Sequence, residues 1–203
     1  MKKYELTEET TNIFGKTLHR IRATRDFSNV HAGDLGGFIE NELNLSHDRD
    51  TWVYGNAWVY GNAWVYGEAR VYGNAWVYGE ARVGGNALVS GDARVGGKAL
   101  VGGDAWVGGK ALVSGNALVY GNALVKGTRD IYWIPCIGSR DGTTTFFRNA
   151  NNGISVSCGC FYGTIDEFAA AVTKTHGDNE HAQAYRHAIE IAKLRIKLTD
   201  AES

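Results

Sequence analysis

Three groups of side chains in this sequence have types and spacings suited to chemistry. The largest is a crowd of aromatic and arginine residues: Trp52, Tyr54, Trp58, Tyr60, Trp64, Tyr66, Arg70, Tyr72, Trp76, Tyr78, Arg82 and Arg94. A contiguous Trp/Tyr surface edged by arginine has the composition of an interface hot spot. It could be a homo-oligomer contact or equally receive a host protein; a third reading stacks a nucleotide base on indole while arginine holds the phosphate. The second group is Cys158-Gly159-Cys160 with His176. Thiolate and imidazole are the usual zinc ligands, so Cys158, Cys160 and His176 are candidate metal ligands. Paired Cys-x-x-Cys motifs and a fourth ligand are missing, however, and small buried cysteines are common, which favours a structural role. The third group is His19 and His47, read as surface or cap residues.

The first group is positioned by a repeat. From Trp52 to Gly127 a six-residue unit, Val-Tyr-Gly-Asn-Ala-Trp in its purest form, runs without insertion or deletion. A fixed short period is the signature of a stacked solenoid. Period-two alternation over Ala-Trp-Val-Tyr places Ala and Val on one face of a short strand and the aromatics on the other. Glycine and asparagine suit the tight corners that follow. Valine and alanine are therefore expected inside, and the aromatics outside.

Three strands per turn would make an 18-residue coil, and the charges supply a check on that number. Glu80 and Lys98 are 18 apart, as are Asp92 and Lys110, and Trp52, Trp64 and Trp76 precede Arg70, Arg82 and Arg94 by the same interval. Coils stacked about 4.8 Å apart would lay each guanidinium against an indole. The expected fold is mainly β: a left-handed parallel β-helix over residues 51-128, with an N-terminal β-rich cap over 1-50 and a C-terminal α+β domain over 129-203.

In the cap, Leu18 to Ala23 reads as a strand after a polar lead, and Phe38 to Leu45 starts an irregular first coil that covers the open end. After the repeat, 130-137, 143-148 and 154-158 read as a three-stranded sheet. Thr164-Ile165-Asp166-Glu167 is a capping box that opens one helix, and a second runs from about Asn179 to Leu198 with an apolar face wide enough for a partner as well as the sheet.

Charge narrows the function. Residues 1-52 carry 7 basic and 9 acidic side chains, 53-127 carry 6 and 4, and 128-203 carry 8 and 9. No segment has the basic balance of a general nucleic-acid binder. No apolar run is long enough for a membrane span, and no signal-peptide core follows Met1, so a cytoplasmic protein is expected. Three cysteines, an odd number, argue against a disulfide framework.

The segment Gly33-Asp34-Leu35-Gly36-Gly37-Phe38-Ile39-Glu40, with Asn44-Leu45-Ser46-His47 and the first Trp-Val-Tyr-Gly-Asn-Ala unit, resembles a widespread group of phage-borne and bacterial hexapeptide-repeat proteins. Ser157-Cys158-Gly159-Cys160-Phe161, Gly163 to Phe168 and His176-Gly177 resemble a module that accompanies such repeats. The resemblance implies the architecture and, through its phage context, a host-directed role.

Hexapeptide solenoids are best known as acyltransferases, which use a histidine near a coil face as general base, and as metalloenzymes, which need several. No histidine lies between His47 and His176, and the repeat holds neither cysteine nor long loop. The expectation is a non-enzymatic binding protein with no catalytic residues and no cofactor. It would inhibit a host defence component by binding a host protein or sequestering a nucleotide signal, and would act as a homo-oligomer. An acyltransferase and a self-assembling structural β-helix are the alternatives. Strand preference and stacked ladders alone could also account for the aromatics.

Overall fold

The computed structural model describes residues 2–198. Its centre is a solenoid of two-residue strands, from Trp52–Val53 (β4) to Leu124–Val125 (β16) at six-residue intervals. Every pairing among them is parallel and joins residues 18 apart, such as Trp58 to Trp76 and Val59 to Val77. Three faces result, each made of every third strand, and the coils form a parallel β-solenoid. The expected three-strand coil is what forms.

Its interior is the valine and alanine columns. From Val53 to Val125 and from Ala57 to Ala123, these residues are at most 2 % exposed. The backbone ties each coil to the next in the same rhythm: Trp76 N donates to Ala93 O at 2.9 Å, Tyr78 N to Val95 O at 2.9 Å, and Glu80 N to Gly97 O at 2.7 Å. Small side chains on the inside permit this because the coil is narrow, and each buried methyl group touches the coil above and below. At the corners the chain turns through glycine with positive φ. At Gly91, φ is 64°, and a Cβ there would lie 3.0 Å from both N and O of Gly109 in the next coil.

Between Tyr4–Ile13 (β1) and Lys16–Ala23 (β2) an antiparallel hairpin forms, and Leu35–Ile39 (β3) pairs antiparallel with β2 and parallel with Trp58–Val59 (β5). The hairpin thus extends one solenoid face to seven strands, order β1-β2-β3-β5-β8-β11-β14, where β8, β11 and β14 are Trp76–Val77, Arg94–Val95 and Leu112–Val113. β1 carries no alternating pattern because its middle is exposed and polar; only Tyr4 and Ile13 at its ends are buried. Cross-strand ion pairs, Glu5 with Arg22 and Glu9 with Arg20, replace the apolar alternation.

The first coil is irregular, as expected. Phe38 pairs with Trp58 and Leu45 with Val65, both 20 residues apart, whereas Val53 pairs with Val71 at 18. The two extra residues therefore fall between Leu45 and Val53. Asn44 stands in for part of the missing strand by donating to Gly61 O and Ala63 O.

At the other end, Ile131–Ile137 (β17), Gly142–Arg148 (β18), Ile154–Cys158 (β19) and Phe161–Thr164 (β20) form an antiparallel sheet in chain order. The expected three strands are four. The fourth has no sequence signal, because Gly163 and the Gly159-Cys160 turn leave it too short for an alternating pattern, although Cys158 and Phe161 pair across that turn. The helices Ile165–His176 (α1) and Glu180–Arg195 (α2) cover the sheet. Thr164 and Glu167 make the expected capping box, and α2 ends three residues before the anticipated Leu198. Leu118 N donates to the Thr145 hydroxyl at 3.0 Å, and Ala150 N to Asn122 O at 2.9 Å, so this domain closes the last coil.

Two outcomes follow for stability. Gly91→Ala should lower the unfolding free energy by about 1–3 kcal/mol, read as a shift of the urea midpoint at unchanged m-value. Lys3 is the second case. It is fully buried, donates to Thr51 O at 2.7 Å, and burial, reinforced by Arg25, pulls its pKa from 10.5 to about 8. The unfolded chain then holds more protons than the folded one between these values, so stability should rise by about 2 kcal/mol from pH 8 to pH 10. Lys3→Met should flatten that rise in urea titrations. Above pH 10 the buried Tyr4 phenol, whose pKa burial raises, works in the opposite direction.

Candidate functional site

Because each face takes every third strand, the crowd of aromatics that is contiguous in sequence is divided among three faces. One face carries Trp58, Trp76 and Arg94 in register, the next Trp52 and Arg70, the third Trp64 and Arg82. The three anticipated tryptophan–arginine registers all form, yet only one becomes a stacked pair among the described residues: the Arg94 guanidinium lies 4.5 Å from the Trp76 ring.

The other two pairs fail for identifiable reasons. Trp52 is 1 % exposed, enclosed by the edges of Tyr4 at 6.1 Å and Phe27 at 5.3 Å, so it is core and not surface. Arg70 turns instead to the Ser28 hydroxyl, and Tyr54 donates to Asn29. Trp64 stacks on its own neighbour Tyr66 at 4.3 Å, and Tyr66 lies across Gly84. Arg82 remains exposed beside it. Tyr72 is half-buried on the face of Trp52. Tyr60 is only 7 % exposed, packed among Ile13, Leu18 and Phe38, and burial with the neighbouring Tyr78 raises its pKa.

What remains is a ladder on a single face. Trp58 and Trp76 stack at 5.1 Å with a 12° interplanar angle, Tyr60 and Tyr78 stack beside them at 5.6 Å, and Arg94 continues the first column. Below Arg94 the column reaches Leu112. Here a cavity of about 510 Å³ is lined by Trp76, Asp92, Arg94, Lys110 and Leu112, with Asn74 and Thr128 at its edges. Leu112 and Thr128 also line a second cavity of about 320 Å³, completed by Ile131, Tyr132, Trp133 and Arg195. The two make one groove from the aromatic ladder to the C-terminal domain.

Its electrostatics are set by which charges are already engaged. Asp92 accepts from the Asn74 amide at 3.2 Å. The anticipated Asp92–Lys110 pair is not among the ion pairs of the described residues, whereas the parallel expectation, Glu80 with Lys98, holds at 3.8 Å. Lys110, Arg94 and Arg195 thus enter the groove with no carboxylate partner among the described residues. Arg195 lies 5.9 Å from the Tyr132 ring. Lys110 was anticipated only as a corner charge opposite Asp92, and Tyr132, Trp133 and Arg195 carry no sequence signal for this site. The 18-residue register could have indicated Leu112 under Arg94, but nothing in the chain order brings α2 or β17 to this face.

The thiol and imidazole candidates gather elsewhere. Cys158 accepts from the Thr144 hydroxyl at 3.1 Å and lies 3.6 Å from the Tyr185 hydroxyl, while Cys160 and Cys136 are exposed. The His176 ring stands 5.9 Å from that of Tyr185. Among the described residues no three His, Cys, Asp or Glu side chains are placed to hold a metal ion, so Cys158, Cys160 and His176 do not converge as ligands. His19 contacts Thr7 O in the hairpin, and His47 stacks on Tyr4 at 4.2 Å, where burial lowers its pKa. Both belong to the cap.

The family model described as the YdcK beta solenoid repeat matches residues 53–67, 81–97 and 111–127. The matched segment, residues 53–127, is a hexapeptide-repeat β-solenoid. Each matched stretch of this solenoid lies within the stacked coils, so the match speaks for the architecture and not for the groove. A search of the curated proteins found no match. No helix among the described residues is long and apolar enough to cross a membrane.

The division of the aromatics has a measurable consequence. Trp52→Ala should cost about 3–5 kcal/mol, as for a buried tryptophan, whereas Trp64→Ala should cost less than about 1 kcal/mol. Equilibrium urea unfolding of the two variants compares them directly.

Proposed function

We propose that this solenoid is a non-catalytic binding protein whose groove captures a nucleotide signal. One observation carries the reading: the Trp58–Trp76–Arg94 ladder runs into a groove where Lys110 and Arg195 add positive charge and Tyr132 and Trp133 add further aromatic surface. Bases stack on indole and phenol whatever their identity, and guanidinium and ammonium groups hold phosphate. Stacked coils that are held by backbone bonds along their length offer such a ligand a surface that needs no reordering, which favours affinity.

Sequestration needs only binding, and no histidine lies within the regular repeat from Trp52 to Gly127 to serve as the general base of the acyltransferase alternative. Against a filament, the β1–β2 hairpin continues one face as antiparallel strands, Lys3 and Tyr4 pack over the first coil, and the C-terminal sheet closes the last. In the phage setting that the sequence resembles, capture of a nucleotide in the bacterial cytoplasm would disarm a host defence that depends on that signal. Homo-oligomerisation is favoured by a separate observation: Ile191, Leu194 and Leu198 are 41 %, 72 % and 41 % exposed. Ile191 and Leu194 lie one turn apart on α2, and Leu198 follows just beyond its end.

The test is a titration of the full chain with ATP, GMP and a cyclic dinucleotide, followed by tryptophan fluorescence and calorimetry. At least one should quench fluorescence and bind, with affinity that weakens as salt rises. Arg94→Ala combined with Lys110→Ala should weaken that binding about tenfold or more, near 1.4 kcal/mol. Absence of binding by all three, or binding that the double variant leaves unchanged, would sink the proposal.

A further inference from the structure

The C-terminal domain holds a second cleft that shares no lining residue with the groove. Two adjoining cavities, of about 190 and 390 Å³, have Arg140, Cys158, Thr175, His176 and Tyr185 in common. We propose that this cleft binds a small ligand with an oxyanion head, carboxylate or phosphate, and a compact apolar body.

The head group belongs with Arg140. Its guanidinium forms no ion pair among the described residues, and a planar fork of donors suits a carboxylate or phosphate. It folds close over the β19–β20 turn, where Gly159 has φ 59° and a Cβ would come within 3.2 Å of Arg140 Nη2. Opposite, Gly138, with φ 77°, leaves room for the Tyr185 hydroxyl, with which a Cβ at that position would collide. Two glycines thus admit one cationic and one hydroxyl donor to the same space.

The Tyr185 hydroxyl lines both cavities and lies 3.6 Å from Cys158 Sγ. Burial, together with the neighbouring Cys158, raises its pKa to about 12, so the hydroxyl keeps its proton at ordinary pH. The Thr144 hydroxyl points its donor at Cys158 Sγ, which fixes the thiol in the wall. Phe161, Phe168 and Val172 form an apolar side, contributed by β20 and α1. Thr175 and His176 lie in the last turn of α1, and a helix C-terminus disfavours an anion beside it. The head is therefore placed on the Arg140 side and the apolar body toward Phe161 and Phe168. The two cavities, about 190 and 390 Å³, are each smaller than the cavity of about 510 Å³ beside Trp76, so each suits only a compact group.

Backbone amide NMR spectra of the full chain, titrated separately with benzoate, phenyl phosphate and benzyl alcohol, test this. One or both anions should shift signals in 139–142, 158–160 and 175–176, and which does so identifies the preferred head. Benzyl alcohol, the same body without charge, should bind about tenfold more weakly. Arg140→Gln should lose the anion preference, and Arg140→Lys should retain part of it. The proposal is overturned if neither anion shifts those signals, if benzyl alcohol binds as well as the anions, or if Arg140→Gln binds them unchanged. The wild-type comparison stands even if a variant misfolds.

Discussion

Everything in this protein depends on the stacking of one coil on the next at an interval of 18 residues. Each hexapeptide donates backbone hydrogen bonds to its counterpart 18 positions on, and its valine and alanine methyl groups fill a column too narrow for anything larger. The glycine corners approach so closely that side chains are excluded there. A repeat under these constraints has no freedom inside. Variation is confined to the outward positions and to the ends, and that is where this chain differs from a uniform solenoid.

The ends are solved differently. At the N-terminal end a hairpin continues one face as antiparallel strands, and Lys3, Tyr4 and Phe27 cover the first coil around Trp52. At the C-terminal end a separate sheet brings Ile131 and Phe147 into the solenoid core while keeping its own core against α1 and α2. Both caps meet the same requirement: an open coil exposes unpaired backbone groups and apolar side chains. Each cap also recruits outward residues. The hairpin removes Trp52 and Tyr60 from the surface, and the C-terminal domain adds Tyr132, Trp133 and Arg195 to the face that holds Trp76 and Arg94.

The groove is therefore a joint product of repeat and cap. Along the repeat, position alone explains why Trp58, Trp76 and Arg94 align. What makes them one wall of a groove is the placement of β17 and of the last turn of α2, which the repeat does not govern. The same holds for Asp92: the register sets it between Asn74 and Lys110, it accepts from the Asn74 amide, and it lines the groove as a carboxylate beside Arg94 and Lys110.

From the sequence alone, the coil length, the three-sided section, the valine and alanine interior and the irregular first coil were all legible, because each follows from a local period repeated without interruption. The capping box of α1 was legible for the same reason: Thr164 and Glu167 act across three residues. The strands β1 and β20 were not, since an exposed polar strand and a four-residue strand with a glycine carry no alternation of their own. Nor was the fate of the outward aromatics. Trp52 and Trp64 occupy equivalent positions of the repeat, yet one is core and the other 41 % exposed. Periodicity determines which way a side chain points; only tertiary packing decides what, if anything, lies over it, because the covering residues come from segments remote in the chain.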